Sequence, residues 1–381
     1  MYAFGAGLLA CRELGERARA VMRHIIQCRT SALGGHEYAC NMCGHIKNTW
    51  NACRDRHCPK CQGRDAAKWV DKMRDRILPT HYFHVVFTVP HELNPLIRCN
   101  QERCYDITFA AAAKALKNVL GDPEYLGAKP AFTSVLHTWT QELNYHVHVH
   151  AIVSGGGFSL DGKSWVASSP TFLVPVEVLS REFKEQYVRL LKRAYTDKKK
   201  RLRFHGNASH LARPDKFTVL TGWLENIDWV VYAKKPLRGP IAVCKYFAGY
   251  THRVGISNKR ILRVEGDRVV FLARHHDKKG RFLGMRERSL QGREFVRRFL
   301  LHVLPLGYTR IRHFGITAPG KIKEQIPLAT ELIREAQADV KPEPEEERDP
   351  PPDPSVCPEC GGTMLLVGLV DPERRDPFDT S

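Results

Sequence analysis

The sequence predicts an α+β fold, in which helices flank an antiparallel sheet and a small cysteine-rich module precedes them. Two segments predict the sheet. The stretch "HYFHVVFTVP" (81–90) is aromatic and β-branched and ends in proline, which is typical of a strand. The stretch "NYHVHVHAIVSGGG" (144–157) alternates histidine with other residues at the period of a strand. Apolar residues at helical spacing in 101–120 and 176–200 predict two of the helices.

Further elements are predicted on both sides of these segments. The stretch "AFTSVLHTWTQELN" and the histidine strand are expected to form a hairpin that turns near Glu142–Asn144. A second hairpin is expected around Gly266. Proline and acidic residues dominate 341–355, which predicts a disordered linker. The remaining predicted helices cover 1–30, 66–77, 240–253 and the segment that stops at Pro305.

Charge and cysteine content restrict the class of protein. Lysine and arginine outnumber aspartate and glutamate by 59 to 41, a net charge of +18, which favours a polyanionic partner such as nucleic acid. A run of 18 apolar residues is absent from the sequence, so a membrane span is not expected. The N-terminus lacks the basic start of an export signal. The 12 cysteines are therefore expected to bind metal rather than form disulfides.

Three histidines on one strand predict a metal site. Because alternate strand side chains share a face, His146, His148 and His150 point the same way. The valines between them, together with Ile152, are expected to face a core. The alternative is a solvated strand face on which histidines recur by chance, and strict alternation of three imidazoles disfavours it.

The stretch "CNMCGHIKNTWNACRDRHCPKC" (40–61) predicts a structural zinc site. It contains two Cys-x2-Cys pairs separated by 14 residues, and four thiolates in two such pairs suit tetrahedral zinc. The predicted ligands are Cys40, Cys43, Cys58 and Cys61. Cys53, His57, His36 and His45 are nearby candidates for a replaced ligand or a second site. Basic residues within the cluster, Arg54, Arg56 and Lys60 among them, are expected to contact phosphates. The tail pair Cys357 and Cys360 has no second pair in sequence and predicts at most a partial site.

The stretch "VCKYFAGYTHRVGISNKR" (243–260) places two tyrosines four residues apart. On a helix Tyr246 and Tyr250 share a face. The ordinary interpretation is that the two tyrosines only pack the helix against its neighbours. Beside a metal site and a basic surface, a tyrosine can instead act as a covalent nucleophile on a phosphodiester. The basic residues around them, predicted to contact DNA, are Lys245, Arg253, Lys259 and Arg260.

One segment matches a nucleotide-binding motif in sequence but lacks the helix that the motif requires. The stretch "GFSLDGKS" (157–164) matches the phosphate-loop pattern, but a helix must begin at its Lys-Ser and the following "WVASSPTFLVPVEV" contains two prolines. A β-turn at Asp161–Gly162 is expected instead.

These motifs together resemble a known family. The segments "CRDRHCPKC", "HYFHVVFTVP", "LNYHVHVHAIVSGGG", "GPIAVCKYFAGYTHRVGISN" and "EFVRRFLLHVLPLGYTRIRHFG" resemble, in this order, rolling-circle insertion-sequence transposases of the ninety-one type with a zinc-binding N-terminus. The resemblance covers about residues 25–317. Two positions depart from the family pattern, Val147 where proline is usual and Gly249 where arginine is common.

The resemblance implies a nuclease of the His-hydrophobic-His class with a ferredoxin-like antiparallel sheet. It implies that His148 and His150 hold Mg²⁺ or Mn²⁺, with Gln141 or His146 as a third ligand. Imidazoles alone would suit a softer metal such as zinc. Phosphate oxygens and water would complete the coordination shell of Mg²⁺ or Mn²⁺. Tyr246 and Tyr250 would be the nucleophiles, leaving a 5′-phosphotyrosine and conserving the bond energy. The substrate would be single-stranded DNA, in a bacterial cytoplasm near the nucleoid.

The resemblance also implies a domain order. It predicts a helical and zinc-binding module (1–77), a tyrosine nuclease domain (78–320), a helix with the acidic linker (321–356), and a short tail with one Cys-x2-Cys pair (357–381). Three other functions remain open: a plasmid replication initiator or relaxase with the same nicking chemistry, a zinc-dependent DNA-binding protein without catalysis, and a zinc hydrolase that uses the three histidines.

Overall fold

The computed structural model has a mixed α+β fold built on antiparallel sheets, and it describes residues 4, 15–62, 69, 72–237, 243, 254–276, 282–336, 353 and 355–372. The main sheet has the strand order β11-β4-β5-β3-β7, and every neighbouring pair is antiparallel. A short strand, β6, pairs with β5 beside this path. The strands are β3 (Tyr82–Thr88), β4 (Ala128–Trp139), β5 (Tyr145–Ser159), β6 (Trp165–Ala167), β7 (Val231–Leu237) and β11 (Ile311–Gly315).

Helices cover one face of this sheet and enclose its largest core. Phe83, Val85 and Phe87 of β3 pack there with Val147 and Val149 of β5, against aromatic side chains of α3 and α4. The apolar face that alternation gives each strand therefore packs against the apolar faces of the helices, as predicted. The described helices are α1 (Glu16–Gln27), α2 (Asn94–Cys99), α3 (Gln101–Gly121), α4 (Val176–Thr196), α5 (Pro214–Asn226), α6 (Gly292–Leu300) and α7 (Ile322–Ala336).

The opposite face of the sheet carries the histidines and a second apolar core. Ile152 packs there with Val135, with Ile333 of α7 and with Val243, which is helical and fully buried. The expectation that Ile152 shares a face with the valines of β5 was wrong. Residue 152 has the parity of His148 and His150, so its side chain points with theirs.

Two small antiparallel sheets complete the described chain. In the first, β12 (Met364–Val370) pairs with β1 (Gly35–Cys40), which pairs with β2 (Ile46–Trp50). In the second, β8 (Ile261–Glu265), β9 (Arg268–His276) and β10 (Phe282–Gln291) form a meander. The second sheet packs with α1 and α6 around a third core that includes Cys28, Cys58 and Cys61.

Both predicted hairpins are confirmed. The β4–β5 hairpin turns between Thr140 and Asn144, and Gly266 has a φ of 56° in the β8–β9 turn. The segment that matches the phosphate-loop pattern lies in the β5–β6 turn, where Gly162 has a φ of 79° and Lys163 and Ser164 lead into a strand instead of a helix. The predicted helix 240–253 and nearly all of the linker 341–355 lie outside the described residues. In the part of the chain that the structure describes, every helix is too short or too polar to cross a membrane.

Candidate metal centres

Three histidines meet in the main sheet, on the face opposite its largest core. His148 and His150 come from β5, and His137 from the neighbouring strand β4. One ring nitrogen from each lies within 4.8 Å of the others. The strand register explains the meeting, because His137 pairs directly with His148 while His150 follows two residues later on the same face. Three imidazole nitrogens at this spacing suit a divalent metal ion.

The protein environment favours the neutral form of His148. Burial, together with the neighbouring His146, lowers the pKa of His148 to about 3. The main-chain carbonyl of His146 lies 2.9 Å from Nδ1 of His148 and fixes the orientation of that ring. A neutral imidazole keeps the lone pair that a metal ion requires. His148 therefore presents a donor for metal rather than a positive charge.

A fourth histidine supports the group from β3. Nε2 of His84 and Nδ1 of His150 are 2.7 Å apart, and their rings stack with centroids separated by 4.9 Å. His84 is 1% exposed. Hydrogen bonds of this kind orient ligating imidazoles in metal sites.

The two predicted third ligands lie elsewhere. Gln141 is exposed in the β4–β5 turn, where its main-chain carbonyl accepts a hydrogen bond from Arg260. His146 is half-buried, with its ring centroid 5.2 Å from that of His148, and it does not belong to the three-histidine group. The structure places His137 in the position for which these two residues were candidates.

The predicted nucleophiles Tyr246 and Tyr250 lie outside the described residues, as do Lys245 and Arg253. Val243, three positions before Tyr246, is described and packs on the histidine face beside Ile152. Of the other predicted DNA contacts, Lys259 is exposed, whereas Arg260 donates to the main-chain carbonyls of Leu272 and Gln141. Arg260 therefore ties β9 to the β4–β5 turn.

Eight cysteines gather into two groups of four. The inner group lies in the core between α1 and α6 and contains Cys28, Cys53, Cys58 and Cys61. The outer group lies at the end of the β1–β12 pair and contains Cys40, Cys43, Cys357 and Cys360. The two Cys-x2-Cys pairs predicted to share one zinc ion do not come together. Each pair meets cysteines from another part of the chain, because β1 and β2 lead the first pair away from the second.

The inner group fits zinc by distance and by chemistry. Sγ of Cys61 lies 3.5 Å from that of Cys28 and 3.7 Å from that of Cys53, and a tetrahedron with Zn–S bonds of about 2.3 Å has edges of about 3.8 Å. A hydrogen bond from the Cys53 thiol, with main-chain N–H groups of Lys60 and Cys61, lowers the pKa of Cys58 to about 5. A thiolate, the form that binds metal, is thus favoured. Cys28, at the end of α1, was not predicted as a ligand.

The loop between Cys53 and Cys58 docks on residues 304–308, which lead into β11 of the main sheet; this sheet with its helices is termed the main domain. Arg56 donates to the carbonyls of Pro305, at 2.8 Å, and Tyr308. His57, fully buried, shares a hydrogen bond with Asp55 through Nδ1, and its Nε2 accepts from the N–H of Leu304 at 3.1 Å. The prediction that Arg56 contacts phosphate was wrong, since its guanidinium is used within the protein.

Lys60 is used in the same way. Its Nζ donates to the carbonyl of Cys28 at 2.8 Å, which fastens the second cysteine pair to the end of α1. Of the three basic side chains considered in this loop, Arg54 and Lys60 are exposed and Arg56 is half-buried.

Comparison with known proteins identifies the family of this chain. A family model described as "Putative transposase" matches residues 131–325, and one described as "Transposase zinc-binding domain" matches residues 3–89. "Putative transposase y4qJ" from Sinorhizobium fredii is 39% identical over 97% of this chain and 94% of its own length. The chain belongs to the insertion-sequence transposases of the ninety-one type. The transposase for insertion sequence element IS801 from Pseudomonas savastanoi is 24% identical over 91% of this chain and 82% of its own length.

The candidate metal sites of this transposase fall in different family matches. The zinc-binding match contains the whole inner group, but only Cys40 and Cys43 of the outer group. The transposase match contains His137, the two β5 histidines and both candidate tyrosines. Residues 357–372, which complete the outer group and form β12, lie beyond both matches.

Proposed function

We propose that this transposase nicks and rejoins single-stranded DNA through a 5′-phosphotyrosine intermediate, in rolling-circle-type transposition. The observation that carries the proposal is the meeting of His137, His148 and His150 on a sheet of a chain that belongs to a transposase family. Three imidazoles whose ring nitrogens lie within 4.8 Å of one another are a donor set for a metal ion, and metal-assisted attack is a general route to phosphodiester cleavage.

The topology supports the ferredoxin-like assignment. The elements β3, α3, β4, β5, α4 and β7 follow the order strand-helix-strand-strand-helix-strand, with α5 added before the last strand. Their sheet order is β4-β5-β3-β7, so the first and third strands of the motif lie side by side in the centre. A split β-α-β-β-α-β motif of this kind is characteristic of ferredoxin-like folds, and its two central strands contribute His84, His148 and His150.

The three histidines would hold Mg²⁺ or Mn²⁺, which would polarise the scissile phosphate and place its oxygens for in-line attack. An all-imidazole set is softer than the ligand sets typical of Mg²⁺, and Mn²⁺ therefore fits these residues better. The burial of His148 keeps its ring unprotonated at neutral pH. The role of the three side chains in catalysis would be to fix the position of the phosphate.

The nucleophile would be Tyr246 or Tyr250. Val243 belongs to the same buried cluster as Ile152, which lies two residues along β5 from His150. Tyr246 follows Val243 by three residues, and three residues of chain span at most about 10 Å. The phenol oxygen would form a bond to phosphorus as the bond from phosphorus to the 3′ oxygen breaks. The phenol proton would be released, and the departing strand would take up a proton as its free 3′-hydroxyl. The second tyrosine would serve the second cleavage.

The charge of the chain fits a DNA substrate. The net charge of +18 would bind the phosphate backbone with salt-dependent affinity. The N-terminal cysteine module would place the end of the mobile element, while Arg56 and His57 keep it docked on the main domain.

The test is adduct formation with labelled single-stranded DNA that contains the ends of the element. We expect a protein–DNA adduct on a denaturing gel with Mn²⁺, none with EDTA, and none with the double variant Tyr246→Phe, Tyr250→Phe. The double variant should still bind DNA. Binding without an adduct from the unaltered protein would contradict the proposal and favour a DNA-binding protein without catalysis. Cleavage and joining without preference for the ends of the element would favour a replication initiator or relaxase, which uses the same nicking chemistry.

A further inference from the structure

We propose that Cys40, Cys43, Cys357 and Cys360 form a second structural zinc site, to which the two ends of the chain each contribute one Cys-x2-Cys turn. Half of this site lies beyond the zinc-binding match, which ends at residue 89. The proposal is independent of the nuclease activity, because none of the four cysteines belongs to the histidine group.

The sulfur positions match a tetrahedral ion. Sγ of Cys40 lies 3.5 Å from that of Cys360, and Sγ of Cys43 lies 3.8 Å from that of Cys357. All four sulfurs lie within 4.8 Å of one another. These contacts cross from one pair to the other, so the four sulfurs surround a common centre. The edges of a zinc–thiolate tetrahedron are about 3.8 Å long.

The two turns have the same backbone structure although 313 residues separate Cys43 from Cys357. In each turn the first cysteine accepts a hydrogen bond from the glycine four positions later, at 3.1 Å for Gly44 and 3.0 Å for Gly361. In each turn its N–H donates to the carbonyl five positions later, at 2.9 Å and 2.7 Å. Gly44 and Gly361 both have a left-handed φ, 71° and 75°, which glycine adopts at little cost.

The surrounding fold sets the two turns face to face. Cys40 pairs with Met364 where β1 meets β12. Asn41 donates its N–H to the carbonyl of Thr363, and its side-chain oxygen accepts the N–H of Thr363, both at 3.0 Å. Main-chain pairing thus holds the two turns, and with them the four sulfurs, at the same end of the β1–β12 pair.

The two zinc sites would differ in accessibility. The outer group contains two exposed cysteines, Cys43 and Cys360, whereas the inner group lies in an apolar core. A chelator should therefore remove the outer ion first. Because that ion would join β12 to the N-terminal module, its loss should make residues 355–372 sensitive to protease while the rest of the chain stays protected.

The first experiment counts zinc in the full chain by native mass spectrometry, in a His148→Ala, His150→Ala background so that the histidine group contributes no ion. We expect two zinc ions in this background and one after adding Cys357→Ser and Cys360→Ser. Adding Cys40→Ser and Cys43→Ser as well should still leave one, since both pairs hold the same ion. The control Cys99→Ser, outside both groups, should retain two.

Retention of both ions by the Cys357→Ser, Cys360→Ser variant would overturn the proposal. So would a disulfide between the two turns, detected as a mass loss of two hydrogens with no second zinc. A measurement without substitutions guards against misfolded variants. During chelation, cysteine alkylation mapped by peptide should reach Cys40, Cys43, Cys357 and Cys360 together, in step with loss of one zinc. Alkylation of the tail pair before any zinc is lost would also overturn it.

Discussion

His84 and His150 are joined by a hydrogen bond of 2.7 Å between neighbouring strands, and His84 is almost fully buried. The bond crosses the sheet diagonally, since the direct partner of His150 on β3 is Val86. It therefore constrains the ring of a candidate metal ligand from a strand that contributes none of the three grouped histidines.

From this contact we expect His84→Ala to weaken Mn²⁺ binding about 10- to 100-fold, as loss of such supporting hydrogen bonds typically does. His84→Gln retains a donor and should recover part of the affinity. Isothermal titration with Mn²⁺ on folded protein checks this. Equal Mn²⁺ affinity in His84→Ala and the unaltered protein would show that the contact only packs the sheet.

His137 is expected to be the third metal ligand. Because its nitrogen lies within 4.8 Å of those of His148 and His150, His137→Ala should reduce Mn²⁺ affinity and adduct yield by at least about tenfold. His146→Ala is the matched control, since His146 neighbours His148 but lies outside the group. The reverse pattern, with His146→Ala defective and His137→Ala active, would return the third position to His146.

Arg56 is expected to hold the cysteine module on the main domain. Arg56→Ala removes charged hydrogen bonds to the carbonyls of Pro305 and Tyr308 and should lower the free energy of unfolding by about 2 to 3 kcal/mol. Arg54→Ala changes an exposed side chain and should cost less than about 0.5 kcal/mol. Urea unfolding of both variants tests the difference. Similar losses would mean that the guanidinium of Arg56 adds nothing to docking.

His302 is expected to make the fold sensitive to acid. Burial lowers its pKa to about 4 from an ordinary value of 6.5. Its folded-state pKa is depressed, so the unfolded chain takes up the proton first. The stability present above pH 6.5 is lost as the pH falls toward 4, by about 3 kcal/mol at most. In His302→Gln this part of the pH dependence should disappear when unfolding is followed between pH 7 and 4. If His302→Gln kept the pH dependence of the unaltered protein, the acid sensitivity would come from other buried histidines.

Much of the sheet was predictable because local pattern dictates it. The alternation in 144–157 and the turn near Glu142–Asn144 predicted the β4–β5 hairpin correctly. The place of His137 was missed for a physical reason. Counting back from a turn at 140–144 pairs residue 137 with residue 147, on the other face of the sheet. A register shift between His137 and Trp139 places His137 opposite His148 instead, and the sequence pattern does not mark that shift.

The cysteine partners could not be predicted from spacing. Thiolates separated by 14 residues suit one zinc ion in many small modules, and nothing local distinguishes that arrangement from two sites. The difference arises from tertiary pairing, since β12 reaches β1 from the far end of the chain and Cys28 reaches the second pair from the end of α1. Arg56 was misinterpreted for a related reason. A basic side chain in a loop suggests phosphate contact until the carbonyls of Pro305 and Tyr308 are seen to accept from it.

The most direct test of the nuclease account is to identify the residue joined to DNA. Adduct formed with Mn²⁺ and single-stranded ends of the element would be digested with nuclease and trypsin, then analysed by mass spectrometry. Trypsin cuts after Lys245 and Arg253 and releases "YFAGYTHR" (246–253), which contains both candidate tyrosines. We expect this peptide to carry a 5′-linked nucleotide on Tyr246 or Tyr250, with the position given by fragmentation. A nucleotide on any other peptide, or no covalent product from DNA that the protein binds, would contradict the account.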